Sequence, residues 1–176
     1  MKALVYTGVE ELVYREEKDP VETSGESILK VHASGICGSD MHAYHGKDER
    51  RIAPLIIGHE VSGVIQNGKF QGKNAVLNPL ITCGKCEYCT SGREHLCPHR
   101  VLLGMNKPYE RQGVFAELVS SPNQNIYEVP DHLDLNEAAI AEPTAVALHA
   151  VLMLSLIHIS EPTRQAEISY AVFCLK

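Results

Sequence analysis

The chain has 176 residues, with 22 acidic side chains against 16 basic ones and a formal net charge of −6. Its 44% hydrophobic and 22% charged residues exclude a disordered tract and a collagen-like chain, and the acidic balance without a Lys/Arg run argues against nucleic acid or an anionic membrane as the main partner. The length is enough to bury a hydrophobic core without disulfide staples.

The N-terminal residues Met1 to Tyr6 show neither the apolar stretch nor the small-residue cleavage site of a signal peptide, and no segment reaches the ~20 apolar residues of a membrane-spanning helix. The expected location is therefore cytoplasmic. Lys2 to Tyr6 reads as a short strand, and Glu26 to Ala33 alternates apolar and polar residues as a half-buried strand does. Val61 to Gln66 and Ala75 to Asn78 are further short strands, bounded by Gly63, Gly68, Gly72 and Pro79. Residues 80 to 100 are rich in Cys, Gly and charge and lack a usable period, as expected of a lobe ordered by a metal. Val114 to Ser120 and Asn125 to Val129 resume the strand pattern, and Asn136 to Met153 reads as helix broken near Pro143. Short strands punctuated by Gly, Pro and Asn predict a mainly β barrel or sandwich with short helices.

In a reducing compartment clustered cysteines read as metal ligands. Cys83, Cys86 and Cys89 are separated by two residues each, and Cys97 follows after seven more. Four thiolates close the tetrahedral shell of a zinc ion, so such a site stabilises structure and leaves no position for chemistry. An iron–sulfur cluster is the rival for four cysteines at short spacing. A packed set of small apolar thiols is disfavoured by the polar neighbours Lys85, Glu87, Arg93, Glu94 and His95.

A second constellation combines Gly35-Ile36-Cys37-Gly38-Ser39-Asp40-Met41-His42 with Gly58-His59-Glu60 and Ala141-Glu142-Pro143. Each piece is weak by itself, since Ser39, Asp40 and Glu142 are all suited to begin helices and Cys37 alone suits a core. Together they offer one sulfur, one nitrogen and one or two oxygens, the mixture with which a catalytic zinc leaves a position open.

In this order, and with Gly113-Val114-Phe115-Ala116-Glu117 between the lobe and Glu142, the motifs resemble those of the zinc-dependent medium-chain alcohol dehydrogenases, from Met1 to about Ala150. Gln112 stands where that family often has glycine, and Glu142 stands where its classical alcohol-oxidising members have cysteine. The latter makes the chain similar to the polyol and sugar-alcohol branch, which includes sorbitol, idonate, galactitol-phosphate and galactonate dehydrogenases. The resemblance implies a GroES-like barrel with a projecting four-cysteine zinc lobe. It also implies a catalytic zinc on Cys37 and His59, with Glu142 bound directly or through water and Glu60 as a direct or exchanging ligand. Ser39 would accept the proton of the substrate alcohol and His42 would pass it outward. Asp40 is open between capping a helix and orienting His59 through the imidazole nitrogen that faces away from the metal. The expected cofactors are two zinc ions, one catalytic and one structural, and NAD(P). The expected substrate is a polyol or sugar acid, and the intact protein is expected to be a homo-oligomer. A non-enzymatic zinc-binding interaction module is the alternative from a different class.

The family holds its nicotinamide cofactor in a Rossmann domain on a G-x-G-x-x-G turn, and no such turn occurs in this chain. After Leu154 the sequence ceases to resemble the dehydrogenases and is similar to the translated read-through of a sequencing adapter. The expectation is a catalytic domain over residues 1–153, an artefactual tail over 154–176, and a chain inactive by itself.

Overall fold

A computed structural model describes residues 1–154. The expectation for the tail thus lies, from residue 155 onward, outside the described residues. In chain order the elements are β1 (Lys2–Gly8), β2 (Glu11–Glu16), β3 (Glu26–Gly35), α1 (Gly38–Tyr44), β4 (Leu55–Ile56), β5 (Glu60–Ile65), β6 (Asn74–Leu77) and β7 (Leu80–Ile81). They continue with α2 (Glu87–Thr90), β8 (Val101–Leu102), β9 (Leu118–Pro122), β10 (Ile126–Glu128), α3 (Leu135–Ala138) and α4 (Ala141–Met153). No helix among the described residues is long and apolar enough to cross a membrane.

Met1–Glu142 forms one unit of the chain, and a second begins at Pro143. In the first unit, a five-stranded sheet runs in the order β10-β6-β5-β3-β9 and a three-stranded sheet in the order β2-β1-β4, with β7 and β8 pairing separately. The long strand β3 is the axis of the larger sheet. It pairs antiparallel with β9 from Glu26↔Pro122 to Lys30↔Leu118, and with β5 from Leu29↔Ile65 to Gly35↔Glu60. The second ladder shifts register between Val31 and Ala33, where His32 is the extra residue of a bulge.

The expected strand from Val114 to Ser120 is regular only from Leu118 onward. Before that, the backbone divides its hydrogen bonds among several partners. Gly113, Val114 and Phe115 donate to the carbonyls of Ile56, Gly58 and Ile57, the Phe115 carbonyl accepts from Leu4, and the Glu117 carbonyl accepts from Val31. This segment therefore staples β1, β3 and the end of β4 together. Phe115 correspondingly packs against all three buried apolar clusters, the largest of which contains Leu29, Val61, Ile65, Val114 and Val119. A Cβ at Gly113 would collide with the backbone of Ile57 and Gly58, so the close approach requires glycine.

The C-terminal helical stretch breaks between α3 and α4, at Ala139 and Ile140, a little before the expected position. Pro143 then falls in the first turn of α4, where its missing N–H has no intrahelical partner to lose. α3 is tied to the sheet by the Ser62 hydroxyl, which donates to the Leu135 carbonyl. Within the second unit, Val146, Leu148, Val151 and Leu152 of α4 are exposed.

One half-buried ion pair joins the start of β3 to the segment before Gly113. Arg111 Nη2 lies 2.5 Å from Glu26 Oε1, and the Ser120 hydroxyl donates to the other carboxylate oxygen. Burial alone would raise the Glu26 pKa, but the Arg111 and Ser120 donors outweigh it and hold the carboxyl below its ordinary value. Because the folded-state pKa is depressed, this contribution to stability is present above the ordinary carboxylate range and is lost as pH falls through the folded value. The difference in melting temperature between wild type and Glu26→Gln is therefore expected to shrink between about pH 6 and about pH 3. A difference that stays constant over that interval would show that the pair does not titrate as described.

Candidate metal centre

The register of β3 on β5 sets the first site. Gly35, the last residue of β3, lies opposite Glu60, the first of β5, so the chain leaving one strand and the chain entering the other meet. Cys37 follows that end of β3 and His59 precedes that end of β5. Ligand atoms of Cys37, His59 and Glu60 all lie within 4.8 Å of one another, and His59 and Glu60 are both 7% exposed. Gly35 has no side chain for a local reason: a Cβ there would run into the Glu60 carboxylate.

Asp40 makes the helix-capping contact, and its second oxygen faces His59. Cys37 occupies the N-cap of α1 with extended backbone, and its N–H donates to Asp40 Oδ2 at 3.0 Å, so Asp40 caps the helix. Asp40 Oδ1 meanwhile lies 3.5 Å from His59 Nδ1. Both of these atoms are buried without a hydrogen-bond partner at normal distance. Burial opposes a charged imidazole, but the Asp40 carboxylate and the Cys37 sulfur beside it prevail and push His59 up to about 9.

Glu142 stands outside the group of three but within its electrostatic reach. Burial raises its pKa, the nearby Glu60 and Asp40 carboxylates raise it further, and His59 pulls it down. A thiol, an imidazole and the Glu60 carboxylate thus meet, a donor set suited to a divalent cation with mixed S, N and O preference. The atoms present fit zinc.

Of the relay candidates, Ser39 is half-buried and His42 is exposed on α1. They line a shared surface cavity of about 370 Å³ with Lys47, Asp48, Glu49 and Arg50. A larger cavity of about 860 Å³, lined among others by Arg15, Glu17, Ile52 and Arg111, contains none of the ligand candidates. Met105 is buried at 6% exposure, and Tyr109 is exposed. His45 pairs with Glu10 at 3.0 Å on the surface.

Sequence reasoning did not single out Arg51. Its side chain is 1% exposed and lies beside Asp40, Asp48 and Ser39. Nothing in the pair Arg50-Arg51 distinguishes the exposed arginine from the buried one.

The second site is the four-cysteine lobe. Sγ atoms of Cys86 and Cys89 lie 3.5 Å apart, those of Cys83 and Cys97 3.6 Å, and those of Cys83 and Cys89 3.9 Å. α2 and the short turn Glu94–Leu96 fold the loop so that Cys89 and Cys97 are buried while Cys83 and Cys86 are half-buried. Backbone N–H groups of Lys85 and Cys86 point at Cys83 and lower it to about 6. The Cys89 N–H favours the Cys86 thiolate, but burial and the surrounding sulfurs prevail and raise it to about 11. In metal-free protein near pH 7, Cys83 is accordingly expected to react with iodoacetamide well before Cys86, measured by peptide mass spectrometry. Equal labelling would contradict the proposed donor geometry.

The comparisons with known proteins converge on this architecture. Residues 23–131 match the family model for the alcohol dehydrogenase GroES-like domain, and the chain belongs to that family. The curated relatives that it matches carry names of threonine, arabitol-phosphate and sorbitol dehydrogenases. It is 34% identical over 168 residues to L-threonine 3-dehydrogenase of Anaeromyxobacter sp. (strain K), covering 89% of this chain and 48% of that protein. It is 35% identical over 165 residues to sorbitol dehydrogenase of Halalkalibacterium halodurans, covering 89% and 47%. Among solved structures, galactitol-1-phosphate dehydrogenase from Escherichia coli superposes with a TM-score of 0.78 at 27% identity, covering 85% of this chain and 44% of that one. A short chain alcohol dehydrogenase from E. coli CFT073, complexed with cofactor NADH, gives a TM-score of 0.76 at 30% identity over 84% of this chain and 44% of that one. The chain spans about half the length of the relatives it matches.

Proposed function

We propose that the chain is the catalytic domain of a zinc- and NAD(P)-dependent dehydrogenase that oxidises a secondary alcohol of a polyol or sugar acid, or runs the reverse reduction. The observation that carries this reading is the meeting of Cys37, His59 and Glu60 within 4.8 Å, with Glu142 close enough to feel their charge. Sorbitol and L-galactonate, the compounds in two relatives' names, each carry secondary alcohols, which supports the substrate class.

In this reading Cys37 and His59 hold the catalytic zinc, and Glu60 or Glu142 completes its protein ligands. Cys83, Cys86, Cys89 and Cys97 hold a structural zinc, which stabilises the lobe by ~10 kcal/mol or more at neutral pH. When bound at the first site, zinc supplies a Lewis acid that polarises an alcohol oxygen and eases loss of its proton. The Ser39 hydroxyl, two residues beyond Cys37, takes that proton, and the exposed His42 delivers it to solvent through the cavity both line. Asp40 Oδ1, 3.5 Å from His59 Nδ1, is placed to receive that nitrogen's proton and to turn Nε2 toward the metal.

Two zinc ions per chain are the expected result of metal analysis, one lost in Cys37→Ala and the other in Cys86→Ala. A single zinc would favour the interaction-module reading. Because the metal-free His59 stays protonated up to about 9, zinc must displace its proton. The apparent affinity of the Cys37–His59 site is therefore expected to rise with pH up to about 9, followed by competition with a chromophoric chelator. A pH-independent affinity would remove His59 from the ligand set.

The nicotinamide cofactor is assigned to the half of the family's longer members that this chain does not span. The purified 176-residue chain is expected to show no NAD-dependent turnover of sorbitol, galactitol or idonate. Measurable turnover would refute that assignment.

A further inference from the structure

Arg51 is buried, with its side chain 1% exposed, and its guanidinium reaches four other residues. Nε donates to the Gly104 carbonyl at 2.9 Å, and Nη1 donates to the Ser39 carbonyl at 3.1 Å and to Asp48 Oδ2 at 2.7 Å. Nη2 donates to the Ser39 hydroxyl at 3.4 Å and lies 3.6 Å from Asp40 Oδ1. Asp40 Oδ1 is the same atom that faces His59 Nδ1. Asp40, 2% exposed, is held through Oδ2 by the Cys37 N–H, while Oδ1 sits between the imidazole and the guanidinium, whose positive charge offsets its burial.

We propose that Arg51 is a positioning residue of the metal centre, holding Asp40 behind His59 and fixing the Ser39 hydroxyl. The proposal rests on the reading of Cys37, His59 and Glu60 as a metal centre. The chemistry of the group explains the choice of residue. Guanidinium offers five donors in a rigid fork, enough to serve Gly104, Ser39 and Asp48 while one edge remains beside Asp40. It accepts no proton. A Ser39 oxygen that already receives a bond from Arg51 keeps one lone pair for a substrate hydroxyl, and the proton it gives up can pass only to another acceptor. Arg51 therefore gives the serine a fixed polarity as well as a fixed place. Lysine, a point charge with three donors and no fork, cannot span the same set of oxygens.

The test uses the 176-residue chain loaded with cadmium, whose nuclear resonance reports the four-cysteine site and the mixed-donor site as separate signals. Zinc affinity at each site is measured in parallel by chelator competition. Arg51→Gln is expected to lower affinity at the Cys37–His59 site by about 10- to 100-fold, the range typical when a partner of a metal ligand is removed. It is also expected to shift the mixed-donor resonance while leaving the tetrathiolate signal in place. Arg51→Lys keeps the charge beside Asp40, so it is expected to recover part of the affinity with the resonance still displaced.

Wild-type affinity at the mixed site, an unmoved mixed-donor resonance, or equal weakening of both sites in folded protein would overturn the proposal, the last by showing a merely structural role. If Arg51→Gln fails to fold, the same criteria apply to Arg51→Lys. A wild-type chain that binds one cadmium instead of two would overturn the metal-centre reading itself, and this proposal with it. That outcome is distinct from a two-site wild type whose Arg51 variants are unchanged.

Discussion

The candidate metal centre depends on one antiparallel register, that of β3 on β5. Cys37 and His59 are distant in sequence, and neither belongs to a strand. They meet because Gly35 and Glu60 are paired at the ladder's end. The hydrogen-bonded ladder thus sets ligand spacing by backbone geometry, which holds positions more firmly than loop side chains can. Gly35 follows from the same constraint, because the volume a Cβ would need is already taken by the Glu60 carboxylate.

Charge is the second organising factor. Asp40 and Glu60 are buried close to the Cys37 thiol, and Glu142 feels their charge, an arrangement unfavourable by itself. The fold opposes that repulsion with a protonated His59 and a buried Arg51, and the proposed zinc replaces the first of these. Arg51 stays cationic whether or not a metal is bound, so it suits the role of permanent counter-charge. The four-cysteine lobe shows the same logic without a cationic side chain: backbone N–H groups of Lys85 and Cys86 stabilise the Cys83 thiolate.

Most of this was legible in the sequence where residue type and spacing carry chemistry. The tetrad Cys83, Cys86, Cys89 and Cys97 closes within a single loop, so spacing alone brings its members together. Cys37, His59 and Glu60 needed the family's motif order, because their meeting depends on a strand pairing that no local pattern encodes. Asp40 reads as open between two roles because a single letter does not say that one oxygen takes the Cys37 N–H while the other faces His59. Arg51 gave no signal, since its burial is imposed by Gly104, Asp48 and Ser39, which come from separate parts of the chain. The strands β4, β7 and β8 have two residues each, too short for alternation to show, and residues 113–117 read as strand because they are apolar, although their backbone serves several partners in turn.

The bulge at His32 has a consequence for how the two ends of the β3–β5 ladder can change. Up to Val31↔Gly63 the pairing follows one phase, and from Ala33↔Ser62 it follows another. Were His32 paired in the ladder instead of bulged out, Gly35 would face His59 and Ser34 would face Glu60, placing a side chain where the carboxylate now fits. The one bulged residue thus sets the phase of the ligand-bearing end, and Val61, which follows Glu60 and packs in the same cluster as Leu29 and Ile65, ties that phase to the core.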